Sequence, residues 1–273
     1  MIIWLASYPK SGNTLVRSML AAYLFSNDGL YNFELIKNIK EFTHAKLFTK
    51  LGIDSKNQKK TFKNYIKVQE SFNKKNSLQF LKTHSVYFNY QQKHSFSNFD
   101  NSLGVIYIVR DPRNVVSSFS KFKNLSHEEA SDFIIRGVGD QLTWTSNWSQ
   151  NFNSWKFLKD YNKYLLVKYE DLINNRELIF LKILKFIYKL NNTKFTLDDK
   201  KFENVIKTTD FMYMQKLEKE LGFVEANIDE KTGNKIPFFN LGPKNDWKKL
   251  LDPRISKKIE NVFFQEMQEL DYL

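Results

Sequence analysis

The apolar run Ile2-Ile3-Trp4-Leu5-Ala6 breaks at once into Ser7-Tyr8-Pro9-Lys10-Ser11-Gly12-Asn13-Thr14, and an apolar-periodic segment follows. The pattern reads as a buried strand, a tight loop, and a helix whose N-terminus points back at the loop. A loop so placed is an anion site, because N–H groups of the first helical turn and the helix dipole converge on it. The same logic recurs downstream. Val105-Ile106-Tyr107-Ile108-Val109 ends in Arg110-Asp111-Pro112-Arg113, and the helix expected next carries Ser117 and Ser118. Two strand–loop–helix anion sites in one chain point to a ligand with two separated phosphates. The first loop is not G-x-x-x-x-G-K-[ST], since Lys10 precedes its only glycine, Gly12, and it is not G-x-G-x-x-G.

Further strands are expected at Leu78 to Lys82, Val105 to Val109 and Tyr164 to Lys168, beside Ile2 to Ser7. Helical patterns separate them, at Asn13 to Phe25, Pro112 to Phe122, Glu128 to Gly137, Asp140 to Tyr161 and Arg176 to Tyr188. Such alternation predicts an α/β fold, a parallel sheet flanked by helices on both faces. Ligands of such sheets sit outside the carboxyl ends of the strands. Lys10, His84, Arg110 and Tyr169 all fall just beyond an expected strand end. Residues 1–273 read as a single domain, without repeats or low-complexity linkers. Phe33 to Asn76, rich in Lys, Asn and Phe, reads as an insertion before the second strand, and the glycine-bearing stretch Gly222 to Lys244 as a mobile flap. Pro253 introduces a last helix, Ile255 to Leu270.

Composition removes several chemistries. The absence of cysteine excludes disulfides, thiolate zinc sites and cysteine nucleophiles, and the presence of only 4 His argues against a multi-histidine metal site. No apolar run approaches the roughly 20 residues of a membrane span. The N-terminus enters a strand without the charged and apolar regions of a signal peptide, so a cytoplasmic location is expected. The formal charge of +12, from 42 Lys+Arg against 30 Asp+Glu, favours anionic ligands. Much of it lies in lysine clusters, Lys56 to Lys63 and Lys74-Lys75, that read as a solvated surface. No helix-turn-helix, RNA-binding strand or zinc pattern is present, so no specific nucleic-acid partner is expected.

Tyr8-Pro9-Lys10-Ser11-Gly12-x-Thr14 resembles the phosphosulfate-binding loop of sulfotransferases that use 3′-phosphoadenosine 5′-phosphosulfate (PAPS). Arg110 and Ser118 sit at the spacing of that family's 3′-phosphate site. Lys82-Thr83-His84, Ser146-x-Trp148-x-Gln150 with Trp155, Tyr169-Glu170-Asp171-Leu172, Thr209 with Phe211, and Gly242-x-x-x-Asp246-Trp247 resemble further family segments, in order along the chain. The resemblance implies a P-loop-like fold and a soluble, cytosolic-type enzyme. Its reaction would move a sulfuryl group from PAPS to a hydroxyl or amine and release adenosine 3′,5′-bisphosphate, without a metal. It implies that Lys10 stabilises the leaving group, that His84 is the general base, and that Lys82 lies in the active site. Ser11, Gly12, Asn13 and Thr14 would cradle the 5′-phosphosulfate. Arg110 and Ser118 would hold the 3′-phosphate, while Tyr169, Thr209 and Gly242 would complete the nucleotide site. The segment 33–76 would then lie on the acceptor side and 222–247 would form the flap over the cofactor. The acceptor is a small molecule or a glycan, and the oligomeric state is open.

Two departures stand out. Leu15 replaces the tryptophan that often stacks on the adenine, and Asn240-Leu241 replaces an Arg-Lys pair before Gly242. Lys235 and Lys244 are the nearest substitutes for those cations. Two other readings remain at this stage. One is a P-loop phosphotransferase, against which the missing G-x-x-x-x-G-K pattern argues. The other is a non-catalytic nucleotide or polyanion binder on the same fold.

Overall fold

The structure, a computed structural model, describes residues 1–73, 77–229 and 233–273. The Lys74-Lys75 pair and the centre of the 222–247 segment, residues 230–232, lie outside the described residues. The chain divides into two compact units: Met1–Tyr8, Ile39–Val109 and Gly137–Thr196 form the first, and Pro9–Asn38, Arg110–Arg136 and Leu197–Leu273 the second.

The first unit is built on a five-stranded parallel sheet. Its strands are β1 (Ile2–Ser7), β2 (Lys40–Glu41), β3 (Gln79–Thr83), β4 (Ser102–Val109) and β5 (Tyr164–Lys168), in the order β2-β3-β1-β4-β5. Every residue of β1 is buried, which is why its sequence runs apolar without alternation: a central parallel strand is covered on both faces. Register aligns the strand ends, pairing Ala6 with Thr83, Ser7 with Ile108 and Val109 with Lys168. His84, Arg110 and Tyr169 therefore each begin a connection at the carboxyl edge of the sheet. The sheet is flanked by helices, as the alternating pattern predicts.

Phe42, Phe48, Phe62 and Tyr65 join the core of this unit. Trp4 meets Phe42 and Phe96 at 5.3 and 5.0 Å between ring centroids, and Phe96 meets Trp155 at 5.2 Å. Phe42, Phe48, Tyr65 and Phe96 are fully buried, and Phe62 and Phe88 nearly so. Phe42, Phe48 and Phe62 of the 33–76 segment are thus core residues. The segment 33–76 is also more than an appended loop, because β2 extends the sheet edge beside β3.

A continuous helix over Asp140 to Tyr161 does not form. Residues Val138–Gly139 and Trp144–Ser146 pair as a short hairpin instead, and the helix spans only Trp148–Ser154. The reason is local side-chain chemistry. The Asp140 carboxylate accepts the N–H groups of Leu142 and Thr143 at 2.7 Å each, which closes a turn. Ser146 adopts φ 59°, and the Asn147 side chain caps the helix by accepting the Gln150 N–H at 2.8 Å.

The second unit is mostly helical: Asn13–Phe25, Pro112–Lys123, His127–Arg136, Asp199–Thr208, Phe211–Leu221, Pro253–Val262 and Phe264–Glu269. The final helix expected over Ile255 to Leu270 is two helices, interrupted at Phe263 with φ −111° and ψ 25°. Segment 222–247 is fastened at several points. The Glu218 carboxylate accepts the N–H groups of Phe238 and Phe239 at 2.7 and 2.9 Å, and the Asn245 side chain donates to Asn114 O at 2.8 Å. No helix among the described residues is long and apolar enough to cross a membrane.

Arg113 ties this unit together. Its guanidinium bonds Asp111 and Glu260 at 2.7 Å each and donates to Tyr272 O at 2.5 Å, while lying 3.9 Å over the Trp247 ring. Burial opposes the charge, but the two carboxylates outweigh it and raise the pKa. Arg113→Ala removes the buried guanidinium that bonds Asp111, Glu260 and Tyr272 O, and a loss of about 3 kcal/mol is expected, read as a lower urea midpoint at unchanged m-value.

Candidate functional site

Lys10, three residues beyond β1, takes φ 66°, an uncommon conformation for a residue with a side chain. Its carbonyl accepts a hydrogen bond from Arg110 Nη1 at 3.1 Å, and its Nζ lies 4.1 Å from the ring centroids of both Phe122 and Phe238. Gly12 follows as the helix N-cap with φ 100° and ψ 12°, a backbone state that favours glycine. No side chain caps this helix start. Ser11 is completely buried, and its hydroxyl has no hydrogen-bond partner among the described residues. A buried, unsatisfied donor beside a helix N-terminus is the kind of group a bound oxyanion can satisfy.

The other loop hydroxyl is engaged. Thr14 Oγ1 donates to Glu225 Oε2 at 3.1 Å, and Arg17 Nη1 donates to Glu225 Oε1 at 2.5 Å. Asn13 is buried. Arg17 lies one helical turn beyond Thr14, a spacing visible in the sequence; nothing in the sequence announces Glu225, 208 positions away from Arg17.

The second anion motif separates its two arginines by role. Arg113 is the one that pairs with Asp111, which leaves Arg110, 6% exposed, bonded to the loop carbonyl of Lys10. Its two serines also differ. Ser117 Oγ donates to Asn245 Oδ1 at 2.6 Å, whereas Ser118, the expected phosphate ligand, is half-buried one position on. Gly242 takes φ 50°, and a Cβ there would stand 2.3 Å from the Phe211 ring, so the chain needs glycine to pass that ring. The Thr209 segment and the Gly242 segment thus meet at Phe211. Thr209 itself is buried, with its hydroxyl donating to Val205 O at 2.7 Å.

In the first unit, His84 directly follows β3 and is half-buried. Its Nδ1 lies 2.9 Å from Ser7 O and 3.2 Å from Ser7 Oγ. A carbonyl only accepts, so the neutral ring carries its proton on Nδ1 and the lone pair on Nε2. Asn151 fixes the backbone there. Its Nδ2 donates to His84 O at 2.9 Å and to Thr145 O at 2.8 Å, and its Oδ1 accepts from Tyr107 OH at 2.7 Å. No sequence signal points to Asn151, because the bonds that matter are made across the fold. Lys82 is 8% exposed, with Nζ 3.5 Å from a Glu41 carboxylate oxygen at the sheet edge. Tyr169 opens the helix Tyr169–Asn174, whose first turn holds Glu170 and Asp171, favourable to the helix dipole. Tyr8 is buried and its hydroxyl pKa is pushed up by burial, so it remains a neutral phenol. Trp4, Trp148 and Trp155 are all fully buried, as expected of core residues.

Lys82, His84 and Tyr169 therefore belong to the first unit, and Lys10, Ser11, Gly12, Asn13, Thr14, Arg110, Ser118, Thr209 and Gly242 to the second.

The sequence matches the family profile described as the sulfotransferase domain over residues 2–271. A 3-beta-hydroxysteroid sulfotransferase of Cavia porcellus is 23% identical over 175 residues, 63% of this chain and 58% of that protein. Sulfotransferase 2A1 of Homo sapiens is 24% identical over 182 residues, 64% of this chain and 60% of that protein. The aligned stretch thus spans under two thirds of the length of these relatives. Among solved structures, retinol dehydratase in complex with androsterone and the inactive cofactor PAP shares the fold, with a TM-score of 0.62 at 14% identity, covering 97% of this chain and 80% of that one. A profile that runs from the first strand to the last helix, over the parallel sheet that the alternating pattern predicts, leaves one assignment: this chain belongs to the sulfotransferase family.

Proposed function

We propose that the protein transfers a sulfuryl group from PAPS to a hydroxyl or amine acceptor and releases adenosine 3′,5′-bisphosphate. The observation that carries this reading is the loop Lys10–Thr14, where a lysine at positive φ, a buried unsatisfied serine hydroxyl and a left-handed glycine open a helix. That donor set fits a phosphosulfate. PAPS supplies an activated sulfuryl group on a phosphate leaving group. The chain's own residues bind, orient and move a proton. The Ser11 hydroxyl and the helix N-terminus hold the anion, and Lys10 places positive charge where the leaving oxygen gains negative charge. Arg110 and Ser118 are assigned to the 3′-phosphate, with Tyr169, Thr209 and Gly242 completing the nucleotide site. The Nε2 lone pair of His84 takes the acceptor's proton. Lys82 is assigned to the active site, with Glu41 as its counter-ion.

The acceptor is proposed to be a small molecule, supported by the steroid named for the guinea-pig relative; a glycan is the second choice, supported by the +12 charge. Cytoplasmic residence fits a chain without cysteine. The reading is tested by calorimetric titration with adenosine 3′,5′-bisphosphate, adenosine 5′-phosphate and ATP in EDTA. Selective binding of the bisphosphate without metal supports it. Equal affinity for the 5′-phosphate, without turnover, returns the chain to a non-catalytic binder in which Asn240 and Leu241 have removed the 3′-phosphate site.

A further inference from the structure

We propose that Phe122 and Phe238 form an aromatic slot that positions the Lys10 ammonium for the bound phosphosulfate; the inference rests on the transferase reading above. The ammonium lies 4.1 Å from each ring centroid, well inside the distance at which a ring face attracts a cation. Both rings are held by bonds that do not involve Lys10. Phe238 donates its N–H to the Glu218 carboxylate at 2.7 Å and packs against Phe223 and Phe239 at 5.0 and 5.1 Å. Phe122 closes the helix Pro112–Lys123, and its carbonyl accepts from Asn227 Nδ2 at 3.0 Å. The two rings meet each other edge-on at 6.1 Å and 82°. The slot is therefore built from the surrounding packing, and the lysine enters it.

The chemistry explains why rings suit this position. A lysine stem is flexible and gives up much rotamer freedom when fixed. A ring face attracts the ammonium through its quadrupole and itself brings no negative charge. Arg110 fixes the other end of the same residue through the Lys10 carbonyl. Phe122 and Phe238 are thus positioning residues that act through Lys10.

The test replaces Phe238, and separately Phe122, with mono-, di- and trifluorinated phenylalanine, which drains the ring face while keeping its shape. Bisphosphate affinity is measured by calorimetry. Affinity is expected to fall stepwise with fluorine number, by about fivefold at three fluorines, and to lose that dependence in a Lys10→Met background. Equal affinity across the series overturns the slot. A second readout needs no nucleotide. After reductive methylation with 13C-formaldehyde, the Lys10 Nζ-methyl signal, assigned with Lys10→Arg, is expected to be shifted upfield by the two rings and to move back in Phe238→Leu. An unshifted signal overturns the slot whatever binds. A shifted signal in a protein indifferent to the 3′-phosphate overturns the transferase reading and leaves the slot standing.

Discussion

Lys10→Ala is expected to lower sulfuryl transfer by about 10²–10³-fold, the range measured when one preorganised group facing developing charge is removed. The argument is electrostatic. Sulfuryl transfer shifts charge onto the departing phosphate oxygen, so a fixed cation there is worth more in the transition state than in the ground state. Lys10 is fixed at several points, by its positive φ, by the Arg110 bond to its carbonyl and by two ring faces. The measurement is bisphosphate release from PAPS over a panel of hydroxyl and amine acceptors, with circular dichroism to show that the variant is folded. Rates near those of the parent protein would remove Lys10 from the leaving-group role. Loss of nucleotide affinity with an unchanged maximal rate would make it a binding residue only.

His84→Gln is expected to cost about 10²–10⁴-fold in maximal rate while changing bisphosphate affinity less than about twofold. Glutamine retains a donor for Ser7 O but offers no imidazole lone pair. The assignment depends on which ring nitrogen holds the proton, and the 2.9 Å contact of Nδ1 with a carbonyl settles that on Nδ1. Equal loss of rate and affinity would mean that His84 supports the fold around Ser7 and Asn151 instead. Its backbone bonds to Asn151 make that outcome physically real, which is why both quantities must be measured.

The site's backbone was legible from local pattern, and its side-chain partnerships were not. β1 lies where its apolar run puts it, because a strand buried on both faces has no polar position to hide it, and β5, at the sheet edge, alternates buried and half-buried residues. The helix Asn13–Phe25 begins where Gly12 permits it to begin. The stretch Asp140 to Tyr161 shows the limit. Its composition suits a helix, but Asp140 and Asn147 satisfy backbone groups locally and Ser146 takes a left-handed φ, a competition that periodicity does not register. The segment rich in phenylalanine shows another limit. Phe42, Phe48 and Phe62 have the composition of an apolar binding surface and the burial of a core, and residue type alone does not separate the two.

The sequence by itself determined the α/β alternation, the two strand–loop–helix anion motifs, the sulfotransferase resemblance and the positions of Lys10, His84 and Arg110 at strand ends. These are local properties: hydrophobic period, a glycine at a turn, a charge placed just beyond a strand. Only the tertiary structure decided that Arg113 takes Asp111 and leaves Arg110 to the loop, that Glu225 reaches Thr14 and Arg17, that Lys82 faces Glu41, and that Lys10 lies between Phe122 and Phe238. Each of these joins residues distant in sequence. Such pairs are selected by the burial and packing of whole elements, and a charge finds its partner only after the elements carrying both have been placed.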